Sequence, residues 1–182
     1  MLIISVWSVN MSKVYEIERK FLVEFPDVDK LDVRKRIGIT QTYLANGEGN
    51  SQRRVRRLDE NGEISYTYTE KVFLTPVTRE ENERSISQDD YLRLLREAKT
   101  DVRPVEKVRY AFNYHDQLFE LDTYPFSDSL AIMELEMESP DQLIDFPDNV
   151  RVLKDVSADK RYSNAALASA GSFPADKIGE NS

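Results

Sequence analysis

Glu16, Glu18 and Lys20 stand two residues apart, and in an extended chain residues i and i+2 point to the same side. The spacing recurs in Arg54 and Arg56, in Thr67, Thr69 and Lys71, and in Arg79, Glu81 and Glu83. It recurs again in Lys107 and Arg109, in Glu120 and Asp122, and in Glu134, Glu136 and Glu138. The opposite parity is often apolar: Ile17 and Phe21, Phe119 and Leu121, Met133, Leu135 and Met137. Arg19 interrupts that pattern, and parity turns it, like Arg53 and Arg57, away from the charged faces. For one strand, a polar face on a half-buried sheet explains such alternation. Repeated faces carrying mainly carboxylates and cations, rather than Ser, Thr, Gln and Asn, imply an enclosed charged interior. Charges kept from water must be hydrated, paired or bound to ions and ligand. Carboxylate oxygens suit hard divalent cations, and Lys and Arg grip phosphate oxygens. The chemistry implied is that of a cation held together with a polyanion.

The elements that must position these residues are mostly strands. Alternation and turn residues predict strands at about 13–23, 39–45, 51–58, 64–73, 77–86, 105–114, 117–124 and 130–139. Asn46-Gly47-Glu48-Gly49-Asn50 and Asp59-Glu60-Asn61-Gly62 carry hairpin chemistry, since Asn and Gly accept positive φ. A tighter link falls at Tyr114-His115-Asp116-Gln117. Short loops between successive strands imply an antiparallel meander. A helix follows Ser87, with Tyr91, Leu94, Leu95 and Ala98 at helical spacing. Others are expected near 28–36 and 161–169, with one turn near 141–145. The fold class is α+β, mainly antiparallel β. Its expected form is an eight-stranded closed barrel, charged inside, apolar outside and flanked by a few helices, since closure removes exposed edges. One domain is expected over residues 12–170, behind a non-native or disordered leader (1–11) and ahead of a frayed tail (171–182).

Composition narrows the function further. The net charge is −8, with 32% charged residues against an ordinary average of about 25%. That sign argues against a nucleic-acid polymer or an anionic membrane as partner, both of which need a basic footprint. A local basic cluster still suits a small polyanion. The chain has no cysteine, so disulfides, thiolate nucleophiles and zinc–sulfur sites are excluded. No apolar run is long enough to span a bilayer, and a cytoplasmic enzyme, monomer or homodimer, is expected.

Tyr15-Glu16-Ile17-Glu18-Arg19-Lys20-Phe21-Leu22-Val23 resembles the ExExK signature of CYTH-domain proteins, the triphosphate tunnel metalloenzymes. The expected followers come in order: Arg54-Val55-Arg56, Thr69-Glu70-Lys71, Lys107-Val108-Arg109-Tyr110, Glu120-Leu121-Asp122, Glu134-Leu135-Glu136 and Asp159-Lys160-Arg161-Tyr162. The resemblance implies a tunnel that binds a small triphosphate and a divalent cation. It implies metal ligation by Glu16, Glu18, Asp122, Glu134 and Glu136, and substrate binding by Lys20, Arg54, Arg56, Lys71, Lys107, Arg109 and Lys160. Glu16, Glu18, Lys20 and Lys71 are the implied catalytic residues. All-oxygen ligation suits Mg²⁺ or Mn²⁺ and gives no reason to prefer zinc or copper.

The activity implied is metal-dependent hydrolysis of a small triphosphate, inorganic tripolyphosphate first. Class IV-type adenylate cyclase, thiamine triphosphatase and a non-catalytic polyphosphate- or nucleotide-binding module stand as alternatives. The cyclase needs an adenine pocket, which the sequence does not locate. Pure polyanion binding would not need so many carboxylates. The single histidine, His115, lies in a turn and is read as solvated.

Overall fold

The computed structural model describes residues 17–45, 51–73, 79–137, 139 and 141–175. The strands are β1 (Ile17–Glu24), β2 (Val33–Leu44), β3 (Ser51–Glu60), β4 (Glu63–Phe73) and β5 (Arg79–Ser85). After α1 (Gln88–Leu94) come β6 (Val105–Tyr114), β7 (Gln117–Thr123), β8 (Leu130–Met137), the short β9 (Val152–Asp155) and α2 (Asn164–Ala170). Single 3-10 turns occupy Val28–Lys30, Leu95–Glu97 and Lys160–Tyr162. Every ladder between them is antiparallel.

Turn chemistry sets the register of two hairpins. Asn61 and Gly62 link β3 to β4 at φ 55° and 88°, with the Gly62 N–H donating to the Asp59 carboxylate at 3.0 Å. His115 and Asp116 link β6 to β7 at φ 44° and 61°. Two consecutive positive φ values match the twist of the flanking strands. The loop expected over 46–50 lies outside the described residues.

The sheet is not the closed barrel expected. Its order is β5-β4-β3-β2-β6-β7-β8-β1-β9, so β5 and β9 are the two edges. No ladder joins those edges among the described residues. One reason is that β9 occupies the outer side of β1 at Phe21–Val23, where a returning strand would have to dock. Another is that β5, Arg-Glu-Glu-Asn-Glu-Arg-Ser, has no apolar residue to bury against a new neighbour. Charge of this kind blunts an exposed edge. The sheet still curls far enough for side chains from β1 to β8 to surround one cavity.

Two further expectations change. The helix near 28–36 is one 3-10 turn, capped by Asp27, followed by the long β2. Val33, Ile37 and Ile39 are β-branched and favour the extended chain, and β3 and β6 supply ladders on both sides of it. The second change is β9 itself, four residues that no alternation announced.

Apolar packing lies mainly on the convex side. Phe21, Val23, Phe112, Phe119, Leu121, Met133 and Leu135 form one buried cluster there, covered by Phe25, Val28, Leu31, Ile144 and Phe146. Leu44 and Val55 form another with Tyr91 and Leu94 of α1. Ser87 caps α1 by accepting from the Asp90 N–H. The third cluster belongs to the concave face. Leu22, Tyr43, Val105, Tyr124 and Ile132 continue the inward parity of the charged residues and pack with Tyr162 and with Leu167 of α2. They form an apolar plug beside the charged region. Among the described residues no helix is long and apolar enough to cross a membrane.

Candidate active site

The cavity encloses about 520 Å³. Its lining includes Glu18 and Lys20 of β1, Tyr43 of β2, Arg54 and Arg56 of β3, Lys71 of β4, Glu81 and Glu83 of β5, and Arg109 of β6. Glu120 of β7 and Glu134 and Glu136 of β8 complete its charged part. These are the inward parities of successive strands, brought together by curvature. Ladder register then decides who meets whom: Lys20 lies opposite Glu134, Glu18 opposite Glu136, and Arg109 opposite Asp122.

One wall is acidic and tightly cross-linked. The Lys20 ammonium bridges Glu18 at 2.6 Å and Glu134 at 2.5 Å. Arg109 donates to both oxygens of Asp122 at 2.7 and 2.8 Å and to Glu134 at 2.8 Å, and also pairs with Glu120. Asp122 receives the Lys107 ammonium as well, and both side chains are essentially inaccessible to water. Burial alone would raise the Asp122 pKa, but Lys107 and Arg109 outweigh it and hold the carboxyl well below its usual range. Burial likewise works against the Lys20 charge and is overcome by Glu134 and Glu18, so its pKa is raised. Arg109 is raised for the same kind of reason, its carboxylates outweighing burial. Glu120 moves the other way, pushed up by burial despite Arg109.

The other wall is basic. Arg54 pairs with Glu81 at 3.0 Å, Lys71 with Glu81 at 2.5 Å, and Arg56 with Glu83 at 3.2 Å. Glu83 also accepts from Thr69 at 2.7 Å. Both glutamates come from the edge strand β5, and the Glu83 side chain is 43% exposed. Cations outnumber their partners here. Burial, with the charge of Arg54, pushes the Arg56 pKa below its usual value, and Arg109 adds to the repulsion. Tyr43 is raised by burial even though Arg54, Arg56 and Lys20 all favour its ionised form.

Not every residue expected at the site faces the cavity. Lys107 and Asp122 lie beneath its floor, bound to each other, rather than offering a free ammonium to substrate or a free carboxylate to a metal. Lys160 is exposed in a 3-10 turn and does not line the cavity. Glu16 and Glu138 lie outside the described residues. Arg19, Arg53 and Arg57 face outward, toward Asp155, Glu97 and Asp59. The cavity also gains Tyr43, Gln52, Ser163 and Asn164. Parity could have supplied Tyr43 and Gln52, but neither carries a charge to draw attention. Ser163 and Asn164 arrive as the N-cap and first residue of α2, where the Tyr124 hydroxyl donates to the Asn164 carboxamide oxygen at 2.8 Å.

Among the described residues, no three of His, Cys, Asp and Glu stand together ready to hold a metal. Glu18 and Glu136 are nevertheless direct partners across the β1–β8 ladder, on the inward face. Like charges opposed across a ladder repel, and a divalent cation between them removes that repulsion. Their hard oxygen donors fit such an ion.

A CYTH-domain family model matches residues 14–154. The inorganic triphosphatase of Nitrosomonas europaea is 36% identical over 156 residues, which cover 84% of this chain and 96% of that protein. The crystal structure of the inorganic triphosphatase NE1496 is similar at a TM-score of 0.54 and 33% identity, covering 86% of this chain and 95% of that one. The PH1819 protein of Pyrococcus horikoshii OT3 shares the fold at a TM-score of 0.50 and 20% identity, with 70% of this chain and 81% of that chain covered.

Proposed function

This chain belongs to the CYTH-domain family, and from that premise we propose that it hydrolyses a small triphosphate, inorganic tripolyphosphate first, with the help of a divalent cation. The observation that carries the reading is the convergence of Arg54, Arg56 and Lys71, with Lys20 and Arg109, on the one cavity that Glu18 and Glu136 also line. An anion relieves the mutual repulsion of the basic wall, and a linear chain of phosphates can contact several cations at once. The relative named as an inorganic triphosphatase supports the same substrate.

Hydrolysis adds water to a terminal phosphorus, breaks one P–O–P bond and leaves pyrophosphate and phosphate. Negative charge builds on the bridging oxygen as that bond breaks. Arg54, Arg56 and Lys71, which line the cavity, would bind and neutralise the phosphate oxygens, and the planar guanidinium can grip two at a time. Catalysis of this kind rests on positioning and charge stabilisation more than on covalent chemistry. Glu18 and Glu136, with Glu16 from the adjoining segment, would hold Mg²⁺ or Mn²⁺. The ion would supply charge neutralisation and a bound water of lowered pKa. The acid wall offers oxygens to accept the water's proton.

The test is to incubate the purified protein with tripolyphosphate, ATP or thiamine triphosphate, each with Mg²⁺ or Mn²⁺. Phosphate released fastest from tripolyphosphate, and only with metal, is the expected result. No release from tripolyphosphate with either ion overturns the proposal, and cyclic AMP with pyrophosphate from ATP would move the reading to a cyclase.

A further inference from the structure

We infer that Gln41 is a positioning residue that sets the angle at which Arg56 meets a bound phosphate chain; the inference rests on the triphosphate reading above. Gln41 lies on the inward face of β2, between Ile39 and Tyr43, and is directly opposite Arg56 in the β2–β3 ladder. It is fully buried, at 0% exposure. A buried carboxamide is costly unless its polar atoms find partners. Its Oε1 accepts from Arg56 Nε at 2.9 Å. Because a guanidinium only donates, this contact settles which end of the amide faces Arg56.

The guanidinium is therefore held at two corners, by Gln41 on Nε and by Glu83 on Nη1 at 3.2 Å. Nη2 takes part in neither contact, and Arg56 lines the cavity. Arg54 has no such inner anchor among the described residues: it meets Glu81 through Nη2, and its buried Nε has no hydrogen-bond partner there. The choice of a neutral acceptor makes physical sense. A glutamate at this position would neutralise a cation that the site needs for an anion. A leucine would leave the Arg56 Nε–H buried without an acceptor. The far end of the amide, Nε2, is buried and has no hydrogen-bond partner among the described residues. The Gln41 side chain, two residues away on the same face, favours the ionised form of the Tyr43 hydroxyl, which burial nonetheless raises. Gln41 thus stands where the charged region gives way to the apolar plug, bonded to Arg56 of the basic wall and two residues from Tyr43 of the plug.

A double-mutant cycle on the full chain tests this, using Gln41→Leu, Arg56→Lys and the pair together. Nitrogen-15 NMR of arginine Nε–H groups in the free protein gives the first readout, with Arg56→Lys identifying the Arg56 signal. That signal is expected to be slow to exchange in the wild type and lost to exchange in Gln41→Leu. With tripolyphosphate and Mg²⁺, Gln41→Leu should raise KM about 10-fold while kcat changes less than about 3-fold. Adding it to Arg56→Lys should cost nothing more. Gln41→Glu keeps the acceptor, so the Nε–H signal should stay protected while KM still rises through lost positive charge. This variant also decides the matter if Gln41→Leu does not fold. An unchanged Nε–H signal in Gln41→Leu, an unprotected one in Gln41→Glu, or fully additive effects in the cycle overturns the inference. If the wild type hydrolyses no tripolyphosphate, the functional reading falls by itself, and the NMR readout still decides the contact.

Discussion

On the acidic side of the cavity, Asp122, Lys107, Arg109 and Glu134 form ion pairs whose side chains are at most 14% exposed. On the basic side, Arg56 leans on Glu83, which is 43% exposed and belongs to an edge strand. Residue types and inward parity are the same on both sides, so the difference lies in depth and support. The acidic wall rests on β6, β7 and β8, each flanked by strands on both sides, with the convex apolar cluster behind them. The basic wall ends at β5, which has a ladder on one side only. Buried pairs must be completely satisfied or they destabilise, whereas exposed pairs are weak and replaceable. The acidic wall is accordingly a fixed frame, and the basic wall is where an incoming anion can exchange partners with little loss.

The largest effect should come from breaking that frame. Asp122→Asn leaves Lys107 buried without its counter-charge and replaces one of the two oxygens that accept from Arg109 with a donor. Removing one member of a buried pair costs about 3–5 kcal/mol, so urea unfolding should show a loss of that size. Glu83→Gln, at the same type of contact on the other wall, should change stability by no more than about 1 kcal/mol. Equal losses in the two variants would mean that the walls do not differ in the way described.

A smaller effect on folding, with a clear one on substrate, is expected from the basic wall. Arg56→Ala takes away a cation whose glutamate partner remains hydrated. Its stability should fall by about 1–3 kcal/mol, less than in Asp122→Asn, because the buried Gln41 oxygen loses its donor. Its KM for tripolyphosphate should rise about 10- to 100-fold, equivalent to about 1.4–2.7 kcal/mol of binding. Steady-state kinetics beside a urea curve separates the two quantities. A large stability loss with unchanged KM would reverse the roles assigned to the walls.

Much of this site was legible because strand parity is a strict rule. Glu18, Lys20, Arg54, Arg56, Lys71, Arg109, Glu134 and Glu136 stand on inward positions that alternation alone singles out, and they line one cavity. Parity gives the face but not the depth along a strand. Lys107 shares its face with Arg109, yet it lies one pleat closer to the apolar plug, where only a tight pair with Asp122 is tolerable. Gln41 was invisible for a related reason, since it carries no charge and its meaning comes from Arg56 across a ladder. Long-range choices were equally hidden. Barrel closure depends on what occupies the outer side of β1, and that is four residues from near the far end of the chain. The stretch near 33–39 was open to a helical reading because its charges mask the β-branched alternation that two neighbouring strands then select.

The smallest effect expected is in the pH dependence of stability, and it too separates the groups by environment. Asp122 and Glu134 are both held below their ordinary pKa values: burial is outweighed by Lys107 and Arg109 at Asp122, and burial with the charge of Asp122 is outweighed by Lys107, Lys20 and Arg109 at Glu134. A carboxylate depressed in the folded state contributes stability that is fully present above its unfolded value, about 4. That contribution is lost as pH falls through the depressed folded values. Glu120 has the opposite sign: burial raises its folded pKa, so the folded chain takes up this proton first. Its ionisation costs stability near neutrality, and the cost is relieved as pH falls through the folded value. Urea midpoints should therefore stay level or rise slightly from pH 7 toward 5, then drop below about 4 as the keystone carboxylates begin to protonate. Glu120→Gln should abolish any rise on the upper limb and leave the acid loss unchanged. Asp122→Asn should flatten the acid limb instead. An acid limb untouched by Asp122→Asn would show that this buried carboxylate is not what holds the acidic wall together.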